Sequence, residues 1–238
     1  MNICRQGCRL ATRSSRDCLE PCNASVNPEP PQIEYGVYVA SDAEAVVKLL
    51  GDAFTRYDPP AVATGLTTSE FEPFVRLLCP RAAAEGLTVV ARFAGTDEPV
   101  GVLLTEDSAS APPAGMDRLS TKFDPIFDIL SQLDTDYRQG RVAPGESLHL
   151  FLLGVSDRVA GRGVGQQLVA SCLENGRRRG YRVAVTEATN KVSQHIFRKL
   201  GFVAQVQRSY EAYRFEGRPV FASIAEHGGP MLMEKVLG

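Results

Sequence analysis

Residues Val159 to Leu168 read VAGRGVGQQL, with Gly161, Gly163 and Gly165 at alternate positions and Arg158 and Arg162 beside them. Glycines so spaced leave backbone N–H groups uncovered at the mouth of a helix, an arrangement suited to binding phosphate. The spacing is not that of a dinucleotide fingerprint, because Gln166 and Leu168 stand where GxGxxG would need its third glycine. No Gly-Lys-Ser/Thr tripeptide occurs, so it is not a P-loop either. The three histidines, His149, His195 and His227, form no zinc-like spacing with cysteine in this part of the chain, and no metal cofactor is implied.

Around this loop the chain reads as alternating strands and helices. IEYGVYVA is strand-like, and SDAEAVVKLLGDAF reads as a helix with Ser41 as its N-cap and Glu44 completing a capping box. A loop around RYDPPAVATG leads into a second capped helix, TTSEFEPFVRLLCPRAAAEG, interrupted or ended near Pro80. LTVVARFA and PVGVLLTE form a hairpin across GTDE. From Asp107 to Glu146 strand character is lost, while Phe123, Ile126, Phe127, Leu130 and Leu133 mark one face of a helix, so this stretch is an inserted lobe. LHLFLLGV is a buried strand and runs into the glycine loop. The following helix carries Val164, Leu168, Val169, Cys172 and Leu173 as its apolar stripe. Next come the strand VAVTEA, a helix NKVSQHIFRKLGF with Val192, Ile196, Phe197 and Leu200 on one side, and a final strand PMLMEKVL.

The 238 residues suffice for one substantial core, and 44% hydrophobic with 23% charged residues is ordinary for a soluble globular protein. A net charge of −2 predicts no polyanion partner, so any phosphate site is local and no nucleic acid is expected. No apolar run approaches the ~18 to 20 residues of a membrane span. Cys4, Cys8, Cys18 and Cys22 crowd the start of the chain, whereas Cys79 and Cys172 sit in apolar helical patterns as core thiols. The polar start ending in NPEPPQ makes residues 1–32 an N-terminal extension, disordered or processed, before a single domain at 33–238. Its four arginines weakly suggest organelle import. Cytoplasm is the default expectation.

The run from LLGVSDRVAGRGVG to FRKLGF resembles the GNAT superfamily of acyl-CoA-dependent N-acyltransferases, and the resemblance extends over Ile33 to Leu237. It implies an α/β fold: a mixed, mostly antiparallel twisted sheet of six to seven strands flanked by helices, here with a helical insertion before the fourth strand. It implies acetyl-CoA as cosubstrate, with its diphosphate on the backbone of Gly161, Arg162, Gly163, Val164, Gly165 and Gln166. Ala160 stands where the family usually has Gln or Arg. Arg158 and Arg162 would add charge, and the Arg177–Arg179 cluster either reaches the nucleotide or simply caps its helix. Pantetheine would lie between the strands ending LLGV and VAVTEA. Backbone groups of Phe151 to Val155, Leu153, Gly154 and Val155 among them, would hold it, an N–H near Leu153 would serve as oxyanion donor, Gly154 would permit close approach or mark a plain bulge, and Asn190 would complete the site.

An ammonium near pKa ~10 must lose a proton before it attacks. RYDPP is similar to the Phe, spacer, acid, Pro pattern of the arylalkylamine N-acetyltransferase branch, with Phe54, Asp58 and Pro59 at the matching positions. That branch places a glutamate at the acid; here Asp58 is either the base or an Asx turn before prolines. Glu106 is the second candidate base and Glu187 the third. Thr189 and Ser193 match that branch's serine pair, one helical turn apart. Phe197 replaces the tyrosine that protonates the leaving thiolate in many relatives. His149 is either a proton relay or a core histidine, and His227 an acceptor-pocket residue. The implied activity is acetyl transfer to a small-molecule primary amine in a ternary complex, by a monomer or homodimer. Phe123, Ile126 and Phe127 of the insertion and Tyr210, Tyr213 and Phe215 of the late segment SYEAYRFEGRPVF would wall a partly aromatic acceptor pocket, the last three being equally readable as core residues of the last hairpin. The alternatives are a protein lysine or N-terminal acetyltransferase and an inactive acyl-CoA sensor.

Overall fold

The computed structural model describes residues 31–138 and 143–238, so residues 1–30 of the extension, with its four cysteines, lie outside the described residues. Seven strands form one sheet in the order β1-β2-β3-β4-β5-β7-β6. They are β1 (Ile33–Val37), β2 (Val89–Phe93), β3 (Pro99–Asp107), β4 (Ser147–Val155), β5 (Val183–Ala188), β6 (Val203–Gln207) and β7 (Met231–Val236). All neighbours pair antiparallel except β4 and β5, which are parallel. The helices are α1 (Ala43–Tyr57), α2 (Pro59–Thr64), α3 (Thr68–Glu85), α4 (Asp124–Arg138), α5 (Val164–Arg178) and α6 (Lys191–Lys199).

Successive strand residues point to opposite faces, so each face buries its own core. Val90, Val102, Leu104 and Leu152 face α1, α3 and α4, where Leu50, Phe74 and Ile129 meet them. Val89, Leu103, Leu148 and Leu150 face α5 and α6, meeting Leu168, Cys172 and Phe197. The inserted lobe thus folds onto the first layer through α4, as its apolar spacing predicted.

Several local expectations are corrected. α1 is preceded by a 3₁₀ turn over Ala40–Asp42. There Asp42, not Glu44, accepts from a capping amide, the Val39 N–H at 2.8 Å. Asp42 is also held by Arg92 at 2.6 Å, whereas Glu44 turns outward to Arg76. The RYDPPAVATG segment contains the short helix α2, because Pro59 suits a first helical position and Asp58 caps it. α3 runs through both Pro73 and Pro80 and stops at Gly86, whose φ of 63° is left-handed. Burial of Phe71, Phe74, Val75, Leu78, Cys79 and Ala82 outweighs a proline cost of ~3 kcal/mol each, at ~1.5–3 kcal/mol per large apolar side chain. In α6, Val192 is solvent-exposed rather than part of the buried side.

Candidate active site in the fork of the sheet

β4 and β5 pair only at Ser147↔Val183, Leu148↔Ala184 and His149↔Val185. Beyond that point they diverge, and the later part of β4 keeps β3 as its partner on one edge only. The fork opens into a cavity of ≈ 840 Å³ lined by Phe151 to Val155 on one side and Thr186 to Ala188 on the other. Alternate backbone groups on the open strand edges have no sheet partner and can bond an extended amide chain.

At one end of the cavity lie Ala160, Gly161, Gly163, Val164, Gly165 and Gln166. Gly161 and Gly163 both have φ 74°, which a side chain would strain, and Gly163 caps α5. The first amides of a helix lack intrahelical partners, so those of α5 point at this end of the cavity as an anion cradle. Three expectations about charge change here. Arg158 pairs with Glu98 at 2.8 Å and lies over the Phe93 ring, lining a neighbouring crevice of ≈ 300 Å³ instead. Arg162 donates to the Pro31 carbonyl at 2.6 Å and does not line the cavity. The Arg177–Arg179 cluster sits at the far end of α5, bonded to the Leu237 carbonyl, Glu174 and the Glu85 carbonyl. Lys191, overlooked in the sequence, does line the cavity at the start of α6. Gly154 lines the cavity, and its bareness also serves α1 packing, since a Cβ there would meet Leu50 at 2.7 Å and Leu49 at 3.0 Å.

Asp58 is 8% exposed and lines the same cavity. Its Oδ2 accepts the Ala61 N–H at 3.2 Å as the α2 cap, and its Oδ1 accepts the Thr189 hydroxyl at 2.5 Å. Asx turn and site residue are therefore one and the same. Burial pushes the Asp58 carboxyl up to about 6, against the opposing pull of Thr189, the Ala61 amide and His227. Thr189 is fixed from behind by the buried Tyr210, whose hydroxyl donates to the Thr189 carbonyl at 2.8 Å. Ser193 also lines the cavity, but its hydroxyl donates to the Asn190 carbonyl at 3.0 Å while its N–H binds the Asn190 side chain at 2.8 Å. Asn190 and Ser193 thus form the N-terminal cap of α6.

Glu106 does not reach the cavity. It lies behind His149, whose Nδ1 is 3.3 Å from Glu106 and whose Nε2 is 2.7 Å from Glu187. Of the two glutamates, Glu187, ranked behind Glu106 from the sequence, is the one that lines the cavity. Arg81 closes the row at 3.0 Å from Glu106. Burial works against charge on His149, yet Glu187 and Glu106 outweigh it and the imidazole is pushed up to about 10. Burial likewise opposes charge on Glu106, but His149 and Arg81 hold its carboxyl below the usual glutamate range.

The far side of the cavity is aromatic: Phe54, Phe71, Phe74, Phe123, Phe127 and Phe151 line it together with Ile126 and Leu130. Phe123 stacks on Phe127 at 5.1 Å and Phe54 on Phe71 at 5.1 Å. Tyr210, Tyr213 and Phe215 are not among the lining residues. Tyr213 instead stacks on Phe221 and binds Asp128 of α4 at 2.5 Å, so the late segment buttresses the lobe from behind. His227 is the residue of that segment which faces the cavity.

A splayed β4–β5 pair with the glycine loop and the start of α5 at one end is the arrangement that the resemblance to acyl-CoA-dependent acyltransferases implies. The Acetyltransferase (GNAT) family matches residues 84–202, which contain the cradle and both fork strands, and the chain belongs to this family of acyltransferases. Its fold is similar to that of the C-terminal condensation domain of Ebony in complex with beta-alanyl-dopamine, with TM-score 0.79 at 14% identity over 87% of this chain and 100% of that one. It is also similar to arylalkylamine N-acetyltransferase 2 from Aedes aegypti, with TM-score 0.75 at 20% identity over 87% and 100%. The Drosophila melanogaster polyamine N-acetyltransferase, which catalyses formation of N-acetylagmatine, gives TM-score 0.70 at 19% identity over 86% and 100%. Among the described residues no helix is long and apolar enough to cross a membrane.

Proposed function

We propose that this enzyme transfers the acetyl group of acetyl-CoA directly to the primary amine of a small molecule carrying an aromatic or apolar group. The observation that carries the reading is the placement of Asp58: a buried carboxylate, oriented by Thr189, on the wall of the cavity that also holds the open edge of β4. The diphosphate sits on the amides of Gly161 and of Gly163 to Gln166, while the Arg162 N–H is held by the Val159 carbonyl; Lys191 supplies a cation on the cavity wall, and pantetheine bonds the free edges of β4 and β5. A Leu153 N–H polarises the thioester carbonyl. Asp58 takes the ammonium proton before the neutral nitrogen attacks, and a carboxyl near pH 6 is ionised and available for this at neutral pH.

The CoA thiol leaves as thiolate. With a thiol pKa near ~8.5, this costs about 2 kcal/mol at pH 7, so Phe197 in place of a tyrosine is tolerable. The six phenylalanines favour an acceptor with an aromatic or aliphatic body. That the similar mosquito enzyme is an arylalkylamine N-acetyltransferase supports the same direction. α4 lies along the cavity through Ile126, Phe127 and Leu130, which argues against the open groove a protein acceptor would need. The test is thiol release from acetyl-CoA with a panel of amines. Release stimulated by 2-phenylethylamine and not by a lysine peptide is expected; binding of acetyl-CoA without amine-dependent release would overturn the reading in favour of a sensor.

A further inference from the structure

The row Arg81–Glu106–His149–Glu187 crosses four elements, α3, β3, β4 and β5, at the depth where the sheet divides. His149 is the last β4 residue paired with β5. Its ring spans the division: Nδ1 meets the carboxylate of β3, Nε2 that of β5, and the Phe151 ring lies against it, tilted by 30°, at 4.9 Å. A neutral imidazole has one N–H, so facing two carboxylates it can donate to only one of them. The imidazolium donates to both.

We infer that His149 is a positioning residue whose cation clamps β5 to β4 at the fork and thereby sets the width of the pantetheine cleft and the placement of Asp58. The mechanical link is short. Glu187 is followed two residues later by Thr189, which holds the Asp58 carboxylate at 2.5 Å, while Leu153 lies on β4 four residues beyond His149. Moving β5 relative to β4 therefore moves the base relative to the thioester. His149 itself does not line the cavity, and with both nitrogens donating it has no lone pair for the acceptor's proton. Its role is distinct from that of a base. Without the cation, the imidazole can donate to only one of the two carboxylates, so the bridge from β3 through His149 to β5 is broken at one end.

The inference rests on the acetyltransferase reading, and the experiment separates the two. CoA binding is measured by calorimetry for the wild type, His149→Gln and His149→Lys, and the pH profile of thiol release with 2-phenylethylamine for each. Gln cannot supply a cation; Lys can. His149→Gln is expected to weaken CoA binding and lower kcat on the order of tenfold or more, since small misplacements of reacting groups are costly, while leaving the acid limb of the profile where it was. His149→Lys is expected to recover most of both. Absence of CoA binding by the wild type at millimolar concentration defeats the acetyltransferase reading itself. Wild-type binding that His149→Gln leaves unchanged defeats only the clamp. A folded His149→Lys variant that fails to bind CoA, or loss of the acid limb in either variant, also overturns it, and the Lys variant decides the matter if His149→Gln does not fold.

Discussion

Asp58 and the Glu106–His149–Glu187 row are two buried acid centres beside the same cavity; burial pushes the carboxyls of Asp58 and Glu106 up alike, and their partners decide the outcome. Asp58 has hydroxyl and amide donors at its oxygens, so desolvation prevails and its carboxyl rises to about 6. Glu106 has an imidazolium and a guanidinium against it, and desolvation loses. The first centre is poised to exchange a proton at neutral pH; the second is locked in its charged form and serves as a fixed strut. Proximity to the cavity alone does not identify the base. The partner of each carboxylate sets the two apart.

The comparison breaks most completely at Asp58. Asp58→Asn keeps the α2 cap, because Asn caps as well as Asp, but removes the base. kcat/KM for amine acetylation is expected to fall about 10²- to 10⁴-fold, with the acid limb near pH 6 abolished. Thr189→Val takes away the hydroxyl that favours the ionised form of Asp58. Its acid limb should shift to higher pH and its rate at pH 7 fall by about tenfold, the effect of one hydrogen bond to a charged group, with thermal stability little changed.

The smallest effects are on stability, and their signs differ between the centres. Asp58 binds its proton more tightly folded than unfolded, so it disfavours the folded state increasingly as pH rises from 3.8 to about 6. At about 1.36 kcal/mol per unit, that loss is on the order of 3 kcal/mol, and Asp58→Asn should abolish it, leaving a more stable and inactive protein at pH 8. His149, raised from 6.5 to about 10, adds stability that is fully present below pH 6.5 and lost as pH passes through about 10. Urea denaturation of wild type, Asp58→Asn and His149→Gln across pH 4 to 10 separates the two contributions.

Much of this was legible in the sequence. The glycine loop, the helix after it and the apolar spacing of Phe123, Ile126 and Phe127 are local patterns, and local patterns fix local structure. Asp58 and Thr189 were legible as candidates through a family motif, but not as hydrogen-bonded partners, because they are 131 positions apart. The ranking of Glu106 above Glu187 failed for a related reason: which carboxylate meets the cavity depends on where His149 lies between three strands. The insertion of β7 between β5 and β6 has no signature in hydrophobic periodicity. The arginines at positions 158, 162 and 177–179 show that charge near a motif says little until its partners are known.

The most direct test is a carbon-13 NMR titration of the side-chain carboxyls, with Asp58 assigned through its loss in Asp58→Asn. The account predicts an Asp58 midpoint near pH 6, with Glu106 remaining ionised between pH 5 and 8. An Asp58 signal already fully ionised at pH 5, or one still protonated at pH 8, would contradict it.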